Sequence, residues 1–273
     1  MQAKNDKYEA ILKCALKFCY DREDPVRAIR NMRNFNEGYD AFGIEDEEIK
    51  VLRDRILDEF DLEVDELADL GSALLKTGKY ELGTLAIMML KKNRPRLTAH
   101  IRDQVKYWLD ELVENWAHAD FLAIKILPVL FELDLMDLEV WKQWRDSESK
   151  WTRRASFVTF VWLRKAEKAE NILEFIKPCL NENDRNAQMG LSWLITDLWH
   201  KSSEQVEEYL LEHKKDINPY ILKAVSDKMP HAKAKAFRPK IVKNRNNQNR
   251  NNQNRQHKAR QPRKQSYRSR NSD

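Results

Sequence analysis

Asn115–Phe131 runs NWAHADFLAIKILPVLF, a tryptophan and an aspartate four residues apart followed directly by an apolar stretch. Residues at i and i+4 project from one face of a helix, a turn apart, so Trp116 and Asp120 share a face if this segment is helical. Taken singly, each has a plain explanation. A helical tryptophan packs against a neighbouring helix, and an aspartate near a helix start caps it or meets the positive end of its dipole. The other explanation is a functional pair, and the two remain open on this stretch alone.

Outward from it, the same pattern recurs. KYEAILKCALKFCY, EIKVLRDRILDEF, VDELADLGSALLKTG, YELGTLAIMMLKK, IRDQVKYWLDELVENW, WTRRASFVTFVWLRKA and MGLSWLITDLWHK are apolar at i, i+3, i+4 and i+7. Only six glycines and eight prolines interrupt the 273 residues, and strand-type alternation is absent, so the chain reads as all-α. Small residues open successive apolar helices at Thr84, Ala119, Ala155, Gly190 and Ala224, at steps of 35, 36, 35 and 34. Chance is a competing explanation, because alanine is common. A true period of this length means one helix pair per unit, stacked into a curved superhelix with a concave face, the small residues marking close helix approach.

Charge is segregated. From His231 onward there are six lysines and eight arginines against one aspartate, whereas residues 1–230 carry a net charge of −8. The expectation is a folded domain over 1–230 and a disordered, basic, Asn/Gln/Arg-rich tail over 231–273 that binds polyanions through counterion release. An acidic body would repel phosphate, so any nucleic-acid face on it must gather its cations locally. Lys150, Arg153 and Arg154, Lys91 and Lys92 with Arg94 and Arg96, and Lys125 are the candidates, at or near helix ends.

Several classes are excluded by what is missing. Neither GxGxxG, a Walker loop, HExxH nor GxSxG occurs, the six histidines lack the i, i+4 pairing of a helical metal site, and Cys14, Cys19 and Cys179 have no metal-ligand spacing. No metal and no cofactor are expected. No apolar run approaches the ~20 residues that cross a bilayer, and the N-terminus MQAKNDKYEAILK lacks a signal-peptide layout. The expectation is an intracellular protein, cytoplasmic and nucleoid-associated, without membrane contact and monomeric.

Taken in order, the segments resemble the AlkD-like DNA glycosylases of the DNA alkylation repair group. NWAHADFLA is similar to that family's WW-D-x-V-D segment, FGIEDEEIKVLRDRI to its FxGIxxPxxRxxLK segment, and YELGTLAIMMLKK to its first central repeat. SESKWTRRASFVTFVWLRK resembles its SDNxWxxRxAIL repeat, and the run from NAQMGLSWLITDLWHK to SDKM its IQKAIGWxLRE repeat and closing helices, so the likeness covers roughly residues 5 to 230. The resemblance implies a stack of HEAT-like antiparallel helix pairs and excision of cationic alkylpurines, such as 7-alkylguanine and 3-alkyladenine, from duplex DNA. It places Trp116 and Asp120 on the family's catalytic tryptophan and aspartate, Trp193 on its second lesion-facing tryptophan, and Arg154 on an arginine that contacts the DNA backbone. It also implies that the lesion stays in the duplex instead of being flipped out. The sequence departs from the family near its N-terminus: Glu45 stands where a glutamine is common, and Asn34 or Phe35 near a pocket-lining tyrosine. A noncatalytic helical-repeat scaffold is the rival reading, and the aspartate at position 120 is what separates the two.

Overall fold

The protein is described by a computed structural model covering residues 2–163 and 168–237. Its helices follow the apolar windows and begin where short polar side chains can accept from the first free backbone N–H groups. Asp24 accepts from the Arg27 N–H, Thr98 from Ile101, Asn115 from His118, Asp137 from Val140, and Asp184 from both Asn186 and Ala187. The order is α1 (Gln2–Tyr20), α2 (Pro25–Met32), α3 (Asp46–Glu59), α4 (Val64–Leu75), α5 (Tyr80–Lys92), α6 (Ala99–Tyr107), α7 (Trp116–Lys125) and α8 (Leu127–Glu132). Then follow α9 (Leu138–Arg145), α10 (Lys150–Trp162), α11 (Ala169–Ile176), α12 (Arg185–Lys201), α13 (Ser203–Glu212), α14 (Pro219–Ser226) and α15 (His231–Phe237).

One row of helices, α5, α7, α10, α12 and α14, packs each member on the next, while α4, α9, α13 and α15 pack against α5, α10, α12 and α14 in turn. The five small residues fall inside the five helices of that row. Thr84, Ala119, Ala155 and Gly190 are all buried. At Gly190 an added Cβ would lie 3.0 Å from Arg154 Cγ, so the glycine is what lets that arginine lie along α12. Hydrogen bonds across the stack repeat the same step. Thr84 Oγ1 meets His118 Nε2, Thr159 Oγ1 reaches the Ala123 carbonyl, and the Tyr209 hydroxyl donates to the Leu173 carbonyl, at separations of 34, 36 and 36 residues. The period is therefore structural, and the fold is an all-helical repeat stack.

Three sequence expectations need correction. IRDQVKYWLDELVENW is not one helix: α6 ends in a single π turn, Trp108–Leu112, closed by the Val113 N–H on the Trp108 carbonyl at 2.7 Å, and Asn115 caps a new helix. Trp116 is thus the first residue of α7 and not the last of α6. The window MGLSWLITDLWHK is the later part of a longer helix: α12 begins at Arg185, which puts Trp193 in its middle. Finally, the folded body does not stop at residue 230. His231–Phe237 form α15 because Ala234 and Phe237 bury apolar side chains there. The rest of the expected basic tail, residues 238–273, lies outside the described residues.

Among the described residues no helix is long and apolar enough to cross a membrane, and no group of three or more His, Cys, Asp or Glu side chains could hold a metal ion.

Candidate active site

The start of α7 is fixed by a buried polar cluster. Asn115 Oδ1 accepts from the His118 N–H at 2.9 Å, and Asn115 Nδ2 donates to His118 Nδ1 at 3.1 Å. That leaves Nε2 of His118 as the protonated nitrogen, and it donates to the Tyr80 carbonyl at 3.0 Å with Thr84 Oγ1 beside it at 3.1 Å. The Tyr80 ring stacks on the imidazole at 4.8 Å. Complete burial pushes the imidazole down to about 4, against a small opposing effect of the Tyr80 carbonyl, so the ring is neutral at physiological pH. Gly83 makes room for it, since a Cβ there would sit 2.4 Å from His118 Cε1.

With α7 held in this way, Asp120 on its second turn faces α10. Arg154 grips the carboxylate in a fork, Nε to Oδ1 and Nη2 to Oδ2, both at 2.7 Å, and spends Nη1 on the Asn186 carbonyl of α12 at 2.8 Å. The pair is buried, with side-chain exposures of 5% for Arg154 and 12% for Asp120, so the carboxylate keeps a narrow opening to solvent. One lone pair on each carboxylate oxygen is used by the arginine and the other remains.

Trp116, one turn before Asp120, lines a cleft of about 650 Å³ together with Phe35, Tyr39, Tyr80, Arg27 and Arg30. Its indole N–H donates to the Asn34 carbonyl at 3.0 Å, and its ring stacks on Phe35 at 5.5 Å, with Phe35 stacked in turn on Tyr39 at 4.5 Å. The segment carrying Asn34 and Phe35 is held in three ways. Glu81, buried in the first turn of α5, accepts the backbone N–H groups of Phe42, Gly43 and Ile44 at 2.9, 2.7 and 3.2 Å. The Tyr80 N–H donates to the Asp40 carbonyl at 2.8 Å. Glu37 accepts from Asn186 Nδ2, which links this N-terminal segment to the helix that also holds Arg154. Burial, helped for Tyr80 by nearby Asp46, pushes the Tyr80 phenol up to about 12 and raises Tyr39, so both stay neutral aromatic walls. Glu45, at the glutamine-like position, also lines the cleft and pairs with Arg27 at 3.1 Å.

The structure therefore pairs Asp120 with Arg154 and sets Trp116 one turn away, on a cleft that neither member of the pair lines; Phe35, Tyr39 and Tyr80 wall that cleft, and Glu37 and Asn186 tie its N-terminal segment to α12. It leaves Trp193 apart. That residue projects from α12 seven positions after Asn186, on the same side and roughly 10 Å further along. There it lines a separate depression with Met189, Ser192, Thr196 and Tyr220, and it is 39% exposed. Arg153, on α10 next to Arg154, is fully engaged inside the protein: Nε and Nη2 pair with Glu182 at 2.7 and 3.2 Å, and Nη1 donates to the carbonyls of Ser147 and Glu148. Lys150 lies over the Trp151 ring at 4.7 Å, and Lys92 reaches Asp54 at 3.6 Å while remaining largely exposed.

The sequence profile of the family described as DNA alkylation repair enzyme matches residues 20–229. A solved structure titled as a predicted DNA alkylation repair enzyme from Enterococcus faecalis superposes with a TM-score of 0.65 over 77% of this chain and 98% of that one. At 17% identity that likeness speaks for the fold alone. No curated protein matches the chain in sequence. The family profile spans the helices from α2 to α14, including Trp116, Asp120 and Arg154, and the chain belongs to the DNA alkylation repair enzyme family.

Proposed function

We propose that this protein is a monofunctional DNA glycosylase that hydrolyses the N-glycosidic bond of cationic alkylated purines in duplex DNA, the first step of base excision repair. The observation that carries this reading is the Asp120 carboxylate, aimed by the two-pronged grip of Arg154 and set one turn from an indole that opens onto an aromatic cleft.

A purine alkylated at ring nitrogen 7 or 3 is a cation that departs as a neutral base, so its leaving needs little acid assistance. As the bond lengthens, positive charge moves to the sugar. The free lone pairs of Asp120 stabilise that oxocarbenium-like state and orient the attacking water, while Arg154 keeps the carboxylate from turning away. Aromatic faces attract cations by ~0.5 to 2 kcal/mol, so Trp116 backed by Phe35 favours a charged base over a neutral one. Trp193 lies beyond the Trp116 cleft and fits a role against the flanking duplex better than one at the reacting bond. Asn186 and Glu37 fix the distance between the cleft wall and the carboxylate.

One observation favours a noncatalytic scaffold instead. Asp120–Arg154 repeats the 34-residue step of the Thr84–His118 tie, so the ion pair could serve the stack alone. Methylated duplex DNA decides between them. Base release measured by mass spectrometry is expected from the wild type and is expected to be lost in Asp120→Asn; release that survives both Asp120→Asn and Trp116→Ala removes the mechanism, and no release from the wild type favours the scaffold.

A further inference from the structure

Between Cys19 and Phe42 the chain buries no side chain, and the apolar residues of α2, Val26, Ile29 and Met32, face water. The base of this stretch is firm. The Asp24 N–H donates to the Phe42 carbonyl at 2.8 Å, beside the grip of Glu81 on residues 42–44. Its far end rests on three helices through few contacts: Asn34 and Phe35 on Trp116 of α7, Tyr39 against Tyr80 of α5 at 5.0 Å, and Glu37 on the side-chain amide of Asn186 of α12. A segment with so little buried surface belongs to the low-stability end of a fold, where local opening costs least.

The far end crosses the site. Residues 34–37 span at most about 10 Å, and in that distance they pass from α7 to α12, with α10 packed between those two helices. Arg154 stands on α10, and the carbonyl that holds its Nη1 belongs to the same Asn186 whose side chain holds Glu37. The Asp120–Arg154 pair is thus flanked at one end by Trp116, under Asn34, and at the other by Asn186, under Glu37; the narrow opening left to the carboxylate fits this cover. The cover is also acidic. From Asn34 to Ile44 there is no lysine or arginine. Asp40 is neutralised by Lys79 at 2.6 Å, whereas among the described residues no cation pairs with Glu37, whose partner is a neutral amide. An uncompensated carboxylate repels a polyanion arriving on this face, so the Glu37–Asn186 bond and a seated duplex oppose each other. Gly38, next in the chain, has φ +107° with nothing within 4 Å of where its Cβ would lie, so the tip has room to turn.

We propose that residues 36–38 are the tip of a strap latched over the Asp120–Arg154 pair by Glu37 on Asn186, and that duplex DNA reaches the pair when Glu37 lets go and the tip lifts, Phe35 and Tyr39 staying on Trp116 and Tyr80 as the pivot. The identity of the ligand rests on the function proposed above; the latch itself does not. A closed fraction weakens apparent affinity in proportion to the open state it removes, and losing one hydrogen bond shifts such an equilibrium by roughly 2- to 10-fold. Affinity of the full chain for a short undamaged duplex is measured by fluorescence anisotropy at fixed salt, so the result does not depend on base release. Glu37→Ala and Asn186→Ala break the latch from its two sides, the second without changing charge, and each is expected to bind tighter by that factor. A control, Glu139→Ala, removes an exposed acid of α9 paired with Lys142 and is expected to bind as the wild type does. Circular dichroism establishes that the variants are folded. A second readout follows the latch directly: the Asn186 side-chain amide resonance, assigned by its loss in Asn186→Ala, should move in the wild type on saturation with duplex towards its position in free Glu37→Ala. Either latch variant binding no tighter than the wild type overturns the proposal, as does equal tightening in the control, which would be an effect of net charge. An Asn186 resonance unmoved by duplex overturns it too. Tighter binding without base release from methylated DNA would sink the glycosylase reading and leave the latch standing.

Discussion

Asp120 and Arg154 are expected to separate stability from catalysis. In Asp120→Asn the side chain keeps its size and loses its charge, and its amide nitrogen now faces a guanidinium N–H instead of accepting from it. Arg154, 5% exposed, is left with the Asn186 carbonyl and one amide oxygen. Breaking a buried ion pair by removing one partner costs ~3 to 5 kcal/mol. In a domain of this size each kcal/mol moves Tm by ~2 to 4 °C, so thermal unfolding should fall by roughly 6 to 20 °C. Replacing both members, Asp120→Leu with Arg154→Met, removes both charges and fills similar volume, which for buried pairs is often neutral or stabilising. The double variant is therefore expected to regain most of the lost Tm and none of the base release. Calorimetry and base release on methylated duplex, run on the wild type and both variants, test this together. Base release by the double variant refutes a catalytic carboxylate. A fall in Tm below about 2 °C for Asp120→Asn refutes the claim that the pair is buried and mutually dependent.

Three further outcomes follow from the same cluster. His118 is held at about 4 in the folded state and has an ordinary value of 6.5 once unfolded, so the unfolded chain takes up a proton that the folded chain refuses. Stability contributed by the neutral ring is present above pH ~6.5 and is lost as pH falls towards 4, by up to ~3 kcal/mol; urea unfolding at pH 7 and 4.5 should show a smaller loss in His118→Gln than in the wild type, and parallel losses would refute it. Glu81→Gln replaces one of two acceptor oxygens serving three buried N–H groups. It is expected to cost ~2 to 4 kcal/mol and to speed amide exchange at residues 42–44, and unchanged exchange would show that the anchor is elsewhere. Trp116→Ala should lower release of a cationic base by roughly 2- to 30-fold, whereas Trp116→Phe keeps the stack on Phe35 and should lose less; equal losses would shift the weight to the indole bond with Asn34.

Arg153 shows why neighbouring residues of one type part company in a fold. Arg153 and Arg154 both looked like phosphate ligands in the motif WTRRAS, yet successive residues on a helix point about 100° apart. That rotation turns Arg153 to Glu182 and the Ser147 carbonyl, and Arg154 to Asp120. Lys91 and Lys125 also stood among the candidates, but their seats over Phe121 and Trp162 depend on which rings neighbouring helices present.

The sequence by itself determined that the chain is helical, and it offered a spacing of 34 to 36 residues and a shared face for Trp116 and Asp120 that the cross-stack hydrogen bonds and the Asn115 cap then made structural. These properties depend on backbone rotation per residue and on which positions are apolar, and both are local. Even the Asp120–Arg154 pair was half-written there, because its separation equals one repeat. Tertiary structure alone decided the rest. Glu37 meets Asn186 across 149 residues, Phe35 backs Trp116, Trp193 faces its own depression, and Phe237 keeps α15 on the stack. Such contacts depend on how repeats turn against one another and on which side chains then find partners, and no spacing along the chain encodes that.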